Sequence, residues 1–323
     1  MSPALSWLLL FLANFMWALQ FTCVKLVQDE IGPLFTVWGP MTLATLMLYP
    51  LIRAEQKRPG HAGQRRKSDV WVFLVLAAAG VLPGQVLITW GTRLSTASNA
   101  AILMLTLPVT TAVLAFIILG ERMTRVRWLS FAVAIAGVAL CSVADLRNFD
   151  LAAGYLAGNL LVFAGTLGSA FFNSYGKKVL ERYSPSEMLF YTYVAMFFLM
   201  TPMVLIQEPG SIVRVPAFSR NTWMGLALLT FFHNYLSNVL FLKALKHLDA
   251  IQTALCNYLI TFFGVPIAAI WLGEKLGASG VTGGVLILAS TLLITLWEAR
   301  QGASVRMWLR PRPLSTSNSE KLE

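Results

Sequence analysis

Residues 99–121 read NAAILMLTLPVTTAVLAFIILGE, and residues 252–274 read QTALCNYLITFFGVPIAAIWLGE. Both runs are apolar, both end in the tripeptide LGE, and a basic residue follows each of them. Aligned on that tripeptide, they share the pairs Ala101/Ala254, Ala115/Ala268, Ile117/Ile270, Leu119/Leu272, Gly120/Gly273 and Glu121/Glu274. Within one residue, the same register also pairs Ala97 with Ala250, Lys25 with Lys177 and Pro33 with Pro185. A register that holds over half the chain indicates an internal duplication.

The composition places these runs in a lipid bilayer. The chain is 57% hydrophobic and 12% charged, with a mean hydropathy of +0.66, whereas soluble domains carry about 25% charged residues. The net charge of +10 would favour a nucleic-acid partner in a soluble protein, but here the basic residues lie in loops between apolar runs. We therefore predict a membrane partner and no nucleic acid. The three cysteines all lie inside apolar runs, which predicts neither a disulfide framework nor a metal site.

Ten apolar runs have the length of about 20 residues that a helix needs to cross the hydrocarbon core. They cover residues 5–27, 33–52, 70–92, 96–119, 126–144, 155–176, 185–206, 222–245, 250–272 and 278–297. We predict an all-α integral membrane protein with ten transmembrane helices in two inverted five-helix repeats. The first repeat occupies residues 1–148, the second residues 149–298, and a polar, disordered cytoplasmic tail residues 299–323.

The distribution of basic residues predicts the orientation. Of the 25 Lys and Arg residues, all but six fall on the side that holds the N-terminus; the six are Lys25, Arg93, Arg147, Arg214, Arg220 and Lys275. Because cytoplasmic loops carry the excess of Lys and Arg, both termini are predicted to lie in the cytoplasm, with the chain in the inner membrane. Five spans in each half is an odd number, so the halves must cross the membrane in opposite directions, as in many secondary transporters.

Several motifs resemble the drug/metabolite transporter superfamily, in its EamA-like branch. They are LGERM at 119–123, LGEKL at 272–276, NFMWALQFTCVK at 14–25 and FLKALKHLDA at 241–250. The resemblance extends over nearly all of the chain up to about residue 298. It implies a secondary transporter that uses alternating access, needs no cofactor, and exports a small metabolite. The expectation that this metabolite is an amino acid comes from the resemblance alone.

Polar side chains inside the apolar runs are the candidate substrate contacts. His233 lies near the middle of its run, and a titratable group at that depth usually faces a cavity, where it binds substrate or handles protons. The alternative is a neutral histidine that is hydrogen-bonded to a neighbouring helix. The other candidates are Trp17, Gln20, Gln85, Asn99, Asn234, Asn238, Asn257 and Tyr258. For each of them alone, the alternative is hydrogen bonding between helices, which is common in membrane bundles. Together they predict a polar cavity near the bilayer midplane, between the third and fourth spans and the eighth and ninth.

Other residues in the apolar runs allow two interpretations each. Pro83, Pro108 and Pro266 can act as hinges or can fix the shape of a bent helix. Glu121 and Glu274 end their runs beside basic residues, which is typical of interfacial structural groups, although a gating role is the alternative. Small residues four positions apart predict close helix packing at Gly80/Gly84, Gly154/Gly158 and Gly280/Gly284.

Missing motifs narrow the function. No Asp or Glu lies at the centre of a run, and there is no Walker loop, HExxH motif or GxSxG elbow, so neither direct ATP coupling nor an intramembrane enzyme is indicated. Two classes remain. The first is a secondary transporter, monomeric or weakly dimeric, and the second is a membrane receptor or scaffold that binds a ligand without moving it.

The predicted topology can be tested by labelling. A cysteine or reporter placed at Arg65 should report the cytoplasmic side, and one at Ser211 the opposite side. Two predicted spans precede Arg65 and seven precede Ser211, so the two positions lie on opposite faces when the N-terminus is cytoplasmic. Accessibility is measured with a membrane-impermeant thiol reagent in intact cells and in inverted vesicles. Labelling of both positions from the same side would contradict the inverted repeat.

Overall fold

The computed structural model describes residues 3–57, 69–119, 124–142, 149–180, 182–245, 258–275 and 277–308. Within these ranges the secondary structure is helical and contains no β-strand. Six helical stretches are long and apolar enough to cross a membrane: Leu8–Val27, Pro33–Gln56, Val70–Leu94, Gly154–Gly176, Pro185–Gln207 and Arg220–Phe241. Shorter apolar helices, Ala97–Thr111, Trp128–Gly137, Leu259–Leu272 and Gly280–Ser290, lie where the sequence predicts the other spans. The all-helical membrane class is confirmed, and the count of ten spans stays a prediction.

The helices follow one another in chain order. They are α1 Pro3–Val27, α2 Pro33–Gln56, α3 Val70–Val75, α4 Leu82–Leu94, α5 Ala97–Leu103, α6 Leu107–Leu119, α7 Arg125–Ser142, α8 Phe149–Val179, α9 Pro185–Gln207, α10 Pro209–Val213, α11 Arg220–Ala227, α12 Ser237–Leu245, α13 Tyr258–Leu272 and α14 Ala278–Trp308. Helix α14 continues past residue 298, where the sequence predicts the tail to begin. The division of the chain into two repeats and a tail stays a prediction.

Two of the long helices change their winding at matching positions. A π-helical segment, Leu76–Val81, joins α3 to α4, and another, Leu228–Leu236, joins α11 to α12. In the register of the internal repeat these two segments overlap. Pro83 is the second residue of α4, just after the first π-helical segment, and Pro108 is the second residue of α6, just after the 3₁₀ turn between α5 and α6. Proline has no backbone N–H, so neither residue can donate a hydrogen bond to the preceding turn. Pro266 lies inside α13.

Glycines allow helices from the two predicted repeats to touch through their backbones. Helix α4 packs along α8, and a Cβ atom added at Gly158 would lie 2.8 Å from the carbonyl oxygen of Gly91. A Cβ at Gly84 would lie 2.9 Å from the hydroxyl of Ser169 on α8. The close packing predicted from small residues is confirmed at Gly84 and Gly158. It is wrong at Gly154, where nothing lies within 4 Å of an added Cβ atom.

Apolar side chains fill the remaining helix contacts. One core lies between α2, α9 and the second π-helical segment, with Leu48, Met196 and Met200 at most 1% exposed. A second core surrounds α5, where Ala101 is fully buried against α1 and α13. Because a lipid tail is as apolar as these side chains, such packing positions the helices through shape rather than through hydrophobicity.

Two carboxylates join helix ends across the predicted halves. Glu274, just after α13, accepts hydrogen bonds from the backbone N–H groups of Ala97 and Ser98 at 2.9 and 2.8 Å. Glu208, after α9, binds two backbone N–H groups at the start of α2 at 2.8 and 3.0 Å. The first N–H groups of a helix have no partner within it and lie at the positive end of its dipole. Glu274 therefore has a structural contact, as predicted, whereas Glu121 lies outside the described residues.

Ser211 is held in the same region. Its hydroxyl accepts a hydrogen bond from the backbone N–H of Gly32 at 3.3 Å, and the residue is only 8% exposed. Val213, at 78% exposed, is therefore the better labelling position for the topology experiment.

Substitution of Gly158 should separate α4 from α8. In Gly158→Ala the new methyl group meets backbone atoms, which cannot move aside as a side chain can, so we expect a loss of about 1–3 kcal/mol in the free energy of unfolding. Gly154→Ala on the same helix is the matched control and should not destabilise. Thermal unfolding midpoints in detergent measure both, and equal midpoints would contradict the assignment.

Glu274→Gln should destabilise the protein without changing its selectivity. The amide keeps only one acceptor oxygen for two N–H donors, so we expect a loss of about 1 kcal/mol. Lys275→Gln, at an exposed neighbouring position, is the control. The measurement is protein yield and thermal midpoint beside substrate competition. A change in substrate preference at normal protein levels would show that Glu274 is a functional rather than a structural residue.

Candidate functional site

A central cavity is the candidate site. The space between its lining atoms is about 1080 Å³, a figure that includes the open solvent at its mouth. Side chains from α1, α4, α8, α9, α12 and the two π-helical segments line it, with smaller contributions from α6 and α13. Six residues predicted as substrate contacts line this one cavity: Trp17, Gln20, Gln85, His233, Asn234 and Asn238.

The second π-helical segment shapes the polar wall of the cavity. Because a π-helix breaks the regular ladder of hydrogen bonds, it leaves carbonyl oxygens that need other partners. The side-chain amide of Asn238 donates to the carbonyl oxygens of His233 and Asn234, at 3.0 and 3.2 Å. The amide of Asn234 donates to the carbonyl oxygen of Leu229 at 2.8 Å. These donors thus bind carbonyl oxygens of their own helix, whereas the predicted alternative to substrate contact was hydrogen bonding between helices.

His233 differs from the two asparagines, because one nitrogen atom of its ring makes no hydrogen bond with the described residues. The residue is 6% exposed, and within the described part of the chain its Nδ1 atom has no hydrogen-bond partner. Most buried polar atoms in folded proteins are paired, so this ring nitrogen is an exception in a residue that lines the cavity. Its backbone carbonyl oxygen also accepts from the hydroxyl of Ser237, which fixes the helix at this point.

An amide pair and aromatic rings also line the cavity. The side-chain amide of Gln20 donates to the side-chain oxygen of Gln85 at 3.2 Å. The rings of Trp17 and Phe241 lie 4.8 Å apart between their centroids. No Asp, Glu, Lys or Arg is among the described residues that line the cavity. The cavity therefore offers neutral hydrogen-bonding groups beside apolar surface, a combination suited to a small amphipathic solute.

The other predicted contacts lie elsewhere. Asn99 is 2% exposed, but its side-chain amide donates to the hydroxyl of Tyr155 at 2.5 Å, at the junction of α5 with α8. This bond between helices, and not a place on the cavity wall, accounts for its burial. Asn257 and the side chain of Tyr258 lie outside the described residues, although Tyr258 begins α13.

The predicted position of the cavity was incomplete. The structure adds α8 and α9 to the lining, including Ser169 and Asn173 on α8 and Met188 and Tyr193 on α9. A single polar residue in an apolar run does not show whether its side chain lines the cavity, because the direction of that side chain depends on the orientation of the helix about its own axis. Ser169 and Asn173 share one face of α8, and this spacing is the one signal in the sequence that points to that helix.

Comparison with known proteins gives a consistent result. Residues 4–143 match the EamA-like transporter family, and residues 156–296 match it again, at the register of the internal repeat within one residue. A probable terminal-alkyne amino-acid exporter of Streptantibioticus cattleyicolor is 26% identical over 292 residues, covering 89% of this chain and 93% of that protein. An S-adenosylmethionine uptake transporter of Rickettsia prowazekii is 27% identical over 220 residues, covering 67% and 69%.

A solved crystal structure shares the fold. It superposes with a TM-score of 0.62 at 15% sequence identity and covers 92% of this chain and 99% of its own. Since the family matches both halves and the helices are long and apolar, the chain is a multi-pass membrane protein. It belongs to the EamA-like transporter family.

Proposed function

We propose that the protein is a secondary transporter that exports a small amphipathic metabolite, such as an amino acid, across the inner membrane by alternating access. The observation that carries this proposal is the uncharged central cavity, in which amide side chains and His233 face aromatic rings. The family supports transport as such. The names of two relatives mention an amino acid and S-adenosylmethionine, and both compounds carry an α-amino acid group.

The cavity chemistry suits a zwitterion. A side-chain amide can donate to a carboxylate with its NH₂ group and accept from an ammonium group with its oxygen. Gln20, Gln85 and Asn173 offer such groups without a net charge, and Nδ1 of His233 offers one more ring nitrogen. The rings of Trp17 and Phe241 provide surface for the apolar part of the molecule. A site without charged residues would bind a phosphate or a polycation poorly.

The arrangement of the halves supports alternating access. The two π-helical segments occupy related positions in the repeat register and both line the cavity, and inverted repeats place the substrate where their halves meet. The excess of basic residues on the side of both termini supports a cytoplasmic location for them. We take the functional unit as a monomer or weak homodimer, because the cavity is built within one chain.

A receptor or scaffold that binds the same ligand without moving it is the alternative function. Flux into proteoliposomes that contain the purified protein distinguishes the two. The screen should cover amino acids, nucleobases and organic cations. Saturable flux of a zwitterionic solute supports the proposal, whereas binding without flux supports the receptor.

His233→Ala should reduce flux at normal expression. It removes a buried ring nitrogen from the cavity wall, and the loss of one ligand hydrogen bond corresponds to about a tenfold decrease in rate or affinity. Ser290→Ala on α14 is the matched control, because it also removes a buried polar group but lies away from the cavity. Cys141→Ala on α7 is a second control. Normal flux in His233→Ala together with lost flux in the controls would place the site elsewhere.

A further inference from the structure

A second, smaller cavity adjoins the central one. The space between its lining atoms is about 220 Å³ when open solvent is counted, and four residues line both cavities: Gln20, Gln85, His233 and Asn234. The two spaces are therefore separated by side chains and not by a layer of backbone. The smaller space is called the outer chamber below; Val24, Thr36, Val37, Thr89 and Leu229 complete its lining.

The outer chamber lies beyond the central cavity in one direction. Val24 on α1 and Thr89 on α4 each follow the shared glutamine of their helix by one turn. Leu229 precedes His233 by one turn, and Thr36 lies in the first turn of α2. The nearby helix ends all lie at the face that is predicted to be opposite both termini. The chamber thus extends from the central cavity toward the outside.

The boundary between the two cavities is weak. It includes the hydrogen bond of 3.2 Å between the side chains of Gln20 and Gln85, two neutral and partly buried amides. A neutral hydrogen bond contributes less than one with a charged partner, and side-chain amides can rotate without any movement of the helices. This boundary can open locally.

A charged group lies one turn beyond the outer chamber on α4. Arg93 donates from its guanidinium to the carbonyl oxygens of Ile31 and Gln28, the latter at 2.6 Å. Lys25 in turn donates to the carbonyl oxygen of Arg93 at 2.9 Å. These bonds join α4 to the connection between α1 and α2.

Two neighbouring helix contacts in the described part of the chain are closely packed. Between α5 and α13, a Cβ atom at Gly264 would lie 2.9 Å from that of Ala101, and the hydroxyl of Thr261 donates to the carbonyl oxygen of Ala101 at 2.6 Å. Between α4 and α8, the backbones of Gly91 and Gly158 are in contact. An opening at either place would have to separate packed backbones.

We propose that the outer chamber is the outward segment of the translocation route, with the Gln20–Gln85 pair as its inner constriction and Arg93 as its outer closure. The inference rests on the proposed transport function. It assigns the route to the space between α1, α2, α4 and the second π-helical segment. In this assignment a solute that leaves the central cavity passes between Gln20 and Gln85.

The test compares two cysteines on one helix. Thr89→Cys and Thr92→Cys are made in a chain whose native cysteines, Cys23, Cys141 and Cys256, are replaced by alanine. Both threonines are buried, at 1% and 0% exposed, but only Thr89 lines the chamber, although Thr92 lies nearer to the outer face. A small membrane-impermeant thiol reagent is added from the outside, and the labelling rate of each cysteine is measured.

Removal of the closure should expose the chamber position selectively. In Arg93→Ala, which loses two charge-assisted hydrogen bonds, we expect Thr89→Cys to be labelled about tenfold faster than with Arg93 present, and Thr92→Cys at an unchanged rate. Arg93→Gln is the second variant if Arg93→Ala is not monodisperse in detergent.

Two results would overturn the inference. Equal acceleration at Thr89→Cys and Thr92→Cys would indicate general loosening, and no acceleration at Thr89→Cys in well-folded protein would show that the chamber is not on the route. Labelling requires no substrate, so it is independent of the flux assay. Absence of flux with selective labelling would contradict the proposed function while leaving the accessible chamber in place.

Discussion

In hydrocarbon, a backbone N–H or C=O group without a partner costs several kcal/mol, and this cost determines where the chain can depart from a regular α-helix. It departs in two π-helical segments that border the central cavity. In the second segment the amides of Asn234 and Asn238 bind carbonyl oxygens of their own helix. The same asparagines line the cavity. Scaffold and candidate site therefore share side chains, and a substitution there would affect both.

The internal duplication supplies two copies of a helix framework but only one polar wall. In the repeat register, Gly80 corresponds to His233 and Gly84 to Ser237. The glycines allow α8 to approach α4 and its π-helical segment closely; a Cβ atom at Gly80 would lie 3.1 Å from that of Phe172. In the second half His233 lines the central cavity, and Gly80 and Gly84 line the same cavity from the first half.

The charged residues named above lie at helix ends and not in the described lining of the central cavity. Arg93, Glu208 and Glu274 bind backbone groups at helix ends, where the dipoles and the free N–H or C=O groups provide partners. The described lining of the central cavity contains no charged residue. This separation allows helix ends to be held firmly at the membrane face while the cavity binds and releases a solute through neutral groups. A transporter needs both, because a substrate that is bound too tightly does not leave.

The sequence by itself determined the membrane class, the duplication and the family, because long apolar runs, a repeated LGE motif and a regular register are properties of chain order. It also predicted that polar residues such as Gln85 and His233 lie at one cavity, since isolated polar groups are costly in lipid. Only the tertiary structure decided that Asn99 binds Tyr155 instead, and that α8 and α9 contribute to the lining. These features depend on the rotation of each helix about its axis. Packing between helices that are distant in the chain sets that rotation. An apolar run has the same composition on the side that faces lipid and on the side that faces protein, so its sequence does not show which side is which.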